Sequence, residues 1–484
     1  MNISELTFDP SKCFIGGEWV SPRKNKTIPL TNPSNGQIIC NISRGDEQDI
    51  DDSVQEARKA FEGEWGNQTA VARGRILMKM SAQVMEKADH LAKLEAIDVG
   101  KPLKQAKADA LALGRYMEFY GGAADKIHGE TIPYLEGYTV YTMREAHGVT
   151  GHIVPWNYPM QIIGRSVGAA LAMGNAVVLK PAEEACLTAL AFAEIAQSCG
   201  LPAGVLNVVP GFGEEAGAAL ASHNGVDHLS FTGSVHVGSL VQSAAAKNVI
   251  PVTLELGGKS PQLVFDDADL DRALPFLINA GIQNAGQTCS ASSRILIHNK
   301  VYKEVSDLMR QRYESLQVGA ALNDLDVGPL ISKRQKDIVN SFIRSGDDLE
   351  KLAEGQLSQN AIQDGYFVRP TLFGKVPVNH KLAQEEIFGP VQTLIPFKDE
   401  EDAIEIANGT DFGLVSSIWT TDGSRQMRLA KKINTGQVFI NNYGAGGGVE
   451  LPFGGVKKSG HGREKGFEAL YGFSKLKTVA AFHG

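Results

Sequence analysis

The chain has 484 residues, 43% of them hydrophobic and 21% charged, with 52 glycines and a net charge of −8. That length calls for two or three domains, and the acidity argues against nucleic acid or an anionic membrane as partner, because both need basic patches. The five cysteines, Cys13, Cys40, Cys186, Cys199 and Cys289, contain no CxxC pair, which argues against a zinc site or a disulfide framework.

Residues 1–12 are polar and lack the apolar core of a signal peptide. No apolar run reaches bilayer length. Both features suit a cytoplasmic protein with reduced thiols. Residues 49–62 set Ile50, Val54, Ala57, Ala60 and Phe61 on a helical stripe. Residues 71–98 and 100–126 read as long helices. Residues 137–150, with Tyr138, Val140 and Tyr141, read as strand. From Gly148 onward short apolar runs alternate with helices. Strands are expected at 149–154, 175–179, 205–209, 227–231 and 252–256, with helices at 160–173 and 184–199. Apolar strands separated by helices imply a parallel sheet covered on both faces. A second such series runs from about 261 to 440, and the tail 466–479 ends in an edge strand.

Several short stretches suggest chemistry. Asn284 to Ser290 surrounds Cys289 with Gly, Gln and small residues, which suits an accessible nucleophile. A lone cysteine is more often a small core residue. Glu255 sits inside the apolar run Leu254–Leu256 just before a Gly pair. Burial would raise its pKa toward the range of a general base, although a salt bridge to Lys259 explains it equally well. Asn157 follows Pro155-Trp156 at the end of a strand. Its amide could donate to an oxyanion or simply shape a turn. Thr232-Gly233-Ser234 leads from a strand into a helix, as an anion site or an ordinary helix cap would. The run 208–217 is nearly a dinucleotide fingerprint, but it reads GxGxxxG and carries Glu214 and Glu215, so a tight turn is the better reading. Lys180 and Glu183 close another strand. Glu183 there would repel a 2′-phosphate, which favours NAD over NADP; two surface charges is the plainer alternative.

Together and in this order these stretches resemble the aldehyde dehydrogenase superfamily over essentially the whole chain. So do Glu385–Pro390, Pro452–Gly455 and Ser459–Glu464. The resemblance implies an α/β fold of two doubly wound open-sheet domains, a Rossmann-like cofactor domain and a catalytic domain, plus a small β oligomerisation extension. It places the NAD-binding domain at 1–124 and 147–257, the catalytic domain at 258–458, and the oligomerisation elements at 125–146 and 459–484. It implies oxidation of an aldehyde to the acid through a thioester on Cys289, with Glu255 activating water. Asn157 and the Cys289 N–H would form the oxyanion hole, and Glu464 would be a second carboxylate near the catalytic channel. NAD, with NADP left open, would be held by Ile153, Pro155, Trp156, Lys180, Glu183, Gly233, Ser234, Gly257, Glu386 and Phe388. Tyr158, Arg165, Thr288, Ser290 and Phe453 would line the substrate pocket. No metal, nucleic acid or membrane is implied, and a homodimer or homotetramer is.

Two departures stand out. Ser166 occupies a position where relatives often carry Lys, which puts a proton relay through that Lys in doubt. Arg165 aligns with a carboxylate-binding Arg of semialdehyde-oxidising relatives, but the second Arg of that clamp is Gln283 here. Half a clamp carries little, because bidentate recognition needs its whole geometry; a structural ion pair is the plainer reading of Arg165. Small groups at Thr288, Ser290 and 443–448 suggest a mouth open to a bulky or aromatic aldehyde. Three other readings meet objections. A coenzyme A-acylating enzyme would not need Glu255. A retired structural enzyme would have lost Cys289, Glu255 or Asn157. A cysteine hydrolase would leave the nucleotide-type motifs unexplained.

Overall fold

The computed structural model describes residues 6–359, 361–444 and 448–484. The first expected helix is Glu47–Glu62, capped by Asp46, which accepts from the Gln48 N–H at 3.0 Å. The helix expected over 71–98 is instead two, Ala70–Glu86 and Ala88–Asp98. Lys87, at φ −89° and ψ 9°, breaks it. The change of direction brings Leu91 and Leu94 into the core that also holds Leu187 and Leu190. The next helix is Leu103–Ala123.

Five parallel strands form the middle of the first sheet: Val149–Val154, Ala176–Pro181, Leu206–Val208, His228–Thr232 and Val252–Glu255. Across the sheet they run third, second, first, fourth, fifth. Side chains alternate between two cores, Val177 and Leu179 on one face, Ala176 and Val178 on the other. The order reverses beside the first strand, and in such sheets the crevice outside the strand ends at that point takes the ligand. Here those ends lead into Pro155–Asn157 and Gly233–Ser234. Cys13–Ile15 pairs antiparallel along one side of this sheet. Gly460–His461, a strand not expected from the sequence, pairs antiparallel with Val252–Glu255 along the other.

The single strand expected over 137–150 is also two. Gly148 separates them at φ +135°, where a Cβ would lie 2.1 Å from Asp227 Oδ2. Val149–Val154 joins the first sheet, while Tyr138–Ala146 pairs with Ser474–Phe482 and Thr131–Ile132 in a separate three-stranded sheet. That sheet and its turn expose Tyr134, Leu135, Tyr141, Leu476 and Phe482.

The second large sheet has six parallel strands in the order Thr371–Gly374, Val391–Phe397, Arg294–His298, Pro261–Val264, Val415–Trp419 and Gln437–Ile440. Glu350–Glu354 adds an antiparallel edge. Leu263, Ile295, Leu394 and Ile418 lie in its core. In the near-fingerprint at 208–217, Glu215 makes a two-pronged ion pair with Arg44 at 2.9 and 2.5 Å, so the loop fastens the N-terminal segment. Among the described residues no helix is long and apolar enough to cross a membrane.

Candidate active site

The segment before Cys289 has an unusual backbone. After the helix Leu270–Ile282, three successive residues are left-handed: Asn284 at φ 49°, Ala285 at 55° and Gly286 at 72°. For Asn and Ala such a conformation costs about 1–3 kcal/mol each and persists only where its surroundings enforce it. Asn284 N–H donates to Gln105 Oε1 at 2.8 Å. The buried Gln287 amide donates to the Asn284 carbonyl at 2.9 Å and accepts from the Ile331 N–H at 2.9 Å. A Cβ on Gly286 would meet the Gly389 carbonyl oxygen at 2.1 Å. The loop so held presents Cys289 half-buried, while the other four cysteines are buried.

Asn157 is tied to this loop. Its side-chain amide donates to the Gln287 carbonyl at 3.1 Å, and its own carbonyl accepts from Asn284 Nδ2 at 2.9 Å. An amide nitrogen carries two hydrogens, so one stays available. Tyr158 Oη and Thr288 Oγ1 are 3.0 Å apart, and the Lys101 ammonium lies 3.8 Å from the centre of the Tyr158 ring. Lys101 is itself buried against Glu95 and Asp109. Tyr443 donates to the Ser290 carbonyl.

Glu255 ends its strand fully buried, and neither carboxylate oxygen has a hydrogen-bond partner. Burial first, and the charge of Glu464 second, hold its pKa well above the usual carboxylate range. Gly454 makes the room: a Cβ there would stand 2.9 Å from Glu255 Oε1. Glu464 is buried, ion-paired to Arg165, and accepts from Ser230 Oγ at 2.9 Å. Arg165 lies 5.0 Å over the Phe453 ring. Burial pushes the Cys289 thiol up to about 11, with the Arg165 charge opposing that rise. Ser166 donates to the Ile162 carbonyl at 2.8 Å inside its own helix and faces neither cavity described next.

Two cavities meet at Cys289. The first, about 360 Å³, is a cleft between the two large sheets. The second, about 390 Å³, is a pocket on the other side of the sulfur. Asn157, Thr232 and Cys289 belong to both walls. Of the residues expected at a cofactor, Pro155, Trp156, Gly233, Ser234, Gly257, Glu386 and Phe388 line the cleft. Trp156 and Phe388 meet edge to face at 5.4 Å. Glu386 accepts from the Gly258 N–H at 3.1 Å, and burial raises its pKa to about 7. Ser234 caps the helix Val235–Ala246 by accepting from the Val237 N–H at 3.3 Å. Ile153, Lys180 and Glu183 are not in that wall. Lys180 and Glu183 pair with each other at 3.0 Å beside it, and Glu184 lines the wall instead. All five residues expected at the substrate, Tyr158, Arg165, Thr288, Ser290 and Phe453, line the second pocket.

Sequence reasoning missed Glu184, Ser332, Arg334 and Gln335 in the cleft, and Gln161, Asn279 and Lys465 in the pocket. Ser332 left one signal: it caps Lys333–Arg344 by accepting from Gln335 N–H at 3.2 Å, a Ser-x-x-Gln helix start readable in the sequence. Lys465 left none beyond its place next to Glu464.

A half-buried thiol on a loop tied to the Asn157 amide, where a switch-point cleft meets a second pocket, is the arrangement of a dehydrogenase that works through a cysteine. The profile of the aldehyde dehydrogenase family matches residues 19–479. An aldehyde dehydrogenase of Emericella nidulans is 42% identical over 97% of this chain and 95% of its own. A crystal structure from Burkholderia cenocepacia assigned to the aldehyde dehydrogenases is 60% identical, with TM-score 0.97 over 98% of this chain and all of that one. The NAD+ complex of an aldehyde dehydrogenase from Bacillus cereus is 39% identical, with TM-score 0.95 over 98% and 96% of the two chains. The chain belongs to the aldehyde dehydrogenase family, whose members are oxidoreductases.

Proposed function

We propose that the chain oxidises an aldehyde to its carboxylic acid with NAD as hydride acceptor, through a thiohemiacetal and then a thioester on Cys289. The observation that carries this is the meeting of two cavities at one sulfur, one shaped for a dinucleotide and the other for a small molecule. The cleft fits NAD. A Cβ on Gly257 would come within 2.2 Å of Glu386 Oε2, so only glycine lets that carboxylate reach the cleft, where it would hold ribose hydroxyls. Ser234 and the free N–H groups opening the twelve-residue helix Val235–Ala246 would hold the pyrophosphate. Trp156, Pro155, Gly233 and Phe388 would frame the ring systems, with Ile153, Lys180 and Glu183 toward the adenosine. Glu183 and Glu184 disfavour a 2′-phosphate there.

The protein's own groups account for the remaining chemistry. With its pKa near 11, Cys289 rests as a thiol, so attack requires a proton acceptor. Glu255, whose raised pKa makes it avid for protons, takes it. Sulfur bonds to the aldehyde carbon, and the resulting oxyanion is met by the Asn157 amide and the Cys289 N–H. Bound NAD supplies the hydride acceptor that turns the thiohemiacetal into a thioester. Glu255 gives up that proton to solvent and then removes one from water, whose oxygen attacks the thioester carbonyl and expels the Cys289 thiolate; the thiolate takes the proton back from Glu255 and restores the resting thiol. Glu464, fixed by Arg165 and Ser230, keeps Glu255 proton-avid. The test is intact mass during turnover. Glu255→Gln is expected to accumulate acyl-enzyme, and Cys289→Ala to form none and turn nothing over. Wild-type turnover in either variant refutes the assignment.

Four further readings belong with this proposal. The first sheet with its helices would form the cofactor domain and the second the catalytic domain, with 125–146 and 459–484 as oligomerisation elements. The exposed apolar residues of the three-stranded sheet support a homodimer or homotetramer, which sedimentation would resolve. Five free thiols support a reducing compartment, the cytoplasm. The volume of the pocket and its aromatic wall of Tyr158, Phe276, Tyr443 and Phe453 support bulky or aromatic aldehydes. Part of the mouth expected to be open, 445–447, lies outside the described residues.

A further inference from the structure

We propose that Gln161 holds a carbonyl acceptor of fixed orientation in the wall of the substrate pocket, so that the preferred substrates are aromatic aldehydes that also carry a hydroxyl group. This rests on the aldehyde-oxidising reading above and names the substrate class for that same pocket. Gln161 lies in the short helix Pro159–Ile162, just beyond Asn157 and Tyr158, and lines the pocket that holds Cys289. Its Nε2 donates to Asp109 Oδ1 at 2.6 Å. Asp109 is also a wall residue, only 2% exposed, and its other oxygen takes the Lys101 ammonium. A carboxylate so engaged only accepts. Turning the Gln161 amide over would set its carbonyl oxygen against that carboxylate, acceptor against acceptor, so the amide keeps one orientation. Among the described residues no group donates to Gln161 Oε1, and the half-buried side chain leaves that oxygen accessible.

The other polar side chains of the wall are either engaged or free to turn. Tyr158 Oη and Thr288 Oγ1 bond each other, and Tyr443 donates to the Ser290 carbonyl. The side-chain amides of Asn279 and Gln283 are exposed and carry no bond among the described residues, so each can turn to meet a donor or an acceptor. Gln161 therefore sets the polarity, and it calls for a donor. The charges nearby favour a neutral one. Arg165 is matched by Glu464. Lys101 lies between Asp109 and Glu95, and burial holds the Glu95 carboxyl well above its usual range, so one ammonium faces one carboxylate. Burial lowers Lys465 to about 7, which leaves it mostly neutral at pH 8. A carboxylate on the substrate would bring a second acceptor to the Gln161 oxygen. An ammonium would find both Asp109 oxygens already taken, and it costs more to dehydrate than a hydroxyl. Tyr158, Phe276, Tyr443 and Phe453 give the rest of the wall flat apolar faces, which suit a ring between the formyl group and the hydroxyl.

The test compares aldehydes of the same shape at pH 8: 4-(hydroxymethyl)benzaldehyde against 4-ethylbenzaldehyde, and the two 3-substituted counterparts. In the wild-type holoenzyme kcat/KM is expected to favour the alcohol at least about fivefold in one of the two pairs, the worth of one neutral hydrogen bond. 4-(Methoxymethyl)benzaldehyde, which accepts but cannot donate, should gain nothing over 4-propylbenzaldehyde. Gln161→Leu should bring the alcohol-to-ethyl ratio to one or below. A wild-type ratio near one in both pairs overturns the proposal, as does an ether favoured as strongly as the alcohol, since the wall would then be donating. A Gln161→Leu enzyme that slows alcohol and ethyl compound equally overturns it too. If Gln161→Leu does not fold, the wild-type ratios for alcohol and ether still decide. Oxidation of the ethyl compounds reports separately on the aldehyde-oxidising reading. Ethyl compounds turned over as fast as the alcohols defeat only the substrate class, whereas no oxidation of any of these aldehydes defeats the proposed function itself.

Discussion

Arg165→Met probes how the buried charges beside Cys289 are balanced. The guanidinium is buried, ion-paired to Glu464, and donates to Thr232 Oγ1 at 3.3 Å. Removing it leaves the Glu464 carboxylate buried with the Ser230 hydroxyl 2.9 Å away. Breaking one side of a buried ion pair costs about 3–5 kcal/mol, whereas replacing both partners by neutral groups of similar volume is close to neutral. Arg165→Met and Glu464→Gln are therefore each expected to lose about 3–5 kcal/mol, and the double variant far less than their sum. A chain built on two large sheets need not unfold in one step, so the comparison is of thermal midpoints for the four proteins at one scan rate. The same pair moves the chemistry in opposite directions. Arg165 holds the pKa values of both Cys289 and Glu255 down against burial, while Glu464 raises that of Glu255. Arg165→Met should slow iodoacetamide alkylation of Cys289 at pH 8 and move the acid limb of kcat to higher pH. Glu464→Gln should move that limb to lower pH. Additive losses of stability, or limbs displaced in the same direction, would refute the reasoning.

Asn157→Ala removes the amide expected to meet the oxyanion, a loss of about 2.7–4 kcal/mol of barrier stabilisation. kcat should fall about 10²- to 10³-fold in steady-state assays, and a fall below threefold would free Asn157 from that role. Acid sensitivity follows from buried imidazoles. Burial lowers His152 from the ordinary 6.5 to about 3, and His228 well below 6.5. Both are neutral in the fold, while the unfolded chain binds their protons below pH 6.5. The stability they contribute is whole above that pH and falls below it, for His152 between about 6.5 and 3, at up to about 1.4 kcal/mol per pH unit for each group. His152→Gln should flatten the fall in denaturation midpoint between pH 7 and pH 5; an unchanged slope contradicts this.

The sequence disclosed what is local. The strand ends at Asn157, Ser234 and Glu255 and the Gly-rich approach to Cys289 are contiguous stretches whose chemistry depends on near neighbours. The parallel sheets followed from apolar runs at regular intervals. Contacts between distant residues were not legible. Arg165 could be read as a substrate clamp or an ion pair, and only its meeting with Glu464 across most of the chain decides between them. Gly460–His461 is two residues long and has no strand pattern of its own; it exists because Val252–Glu255 offers an open edge. Lys87 carries no Gly or Pro to announce a break in a helix, and the break follows from what Leu91 and Leu94 pack against. Glu184 differs from Glu183 only in which way the chain turns after Pro181, a matter of tertiary packing.

The order of these pieces along the chain has a consequence for truncated products. The edge strand Gly460–His461, the pair Glu464 and Lys465, and the strand Ser474–Phe482 that clasps Tyr138–Ala146 all follow the last parallel strand, Gln437–Ile440, in the chain. The parallel strands of both large sheets and the strained loop of Cys289 therefore precede, along the chain, the residues that set the charge around the base. A product clipped before Gly460 would carry the thiol and Glu255 without Glu464, the carboxylate whose charge helps to keep that base proton-avid.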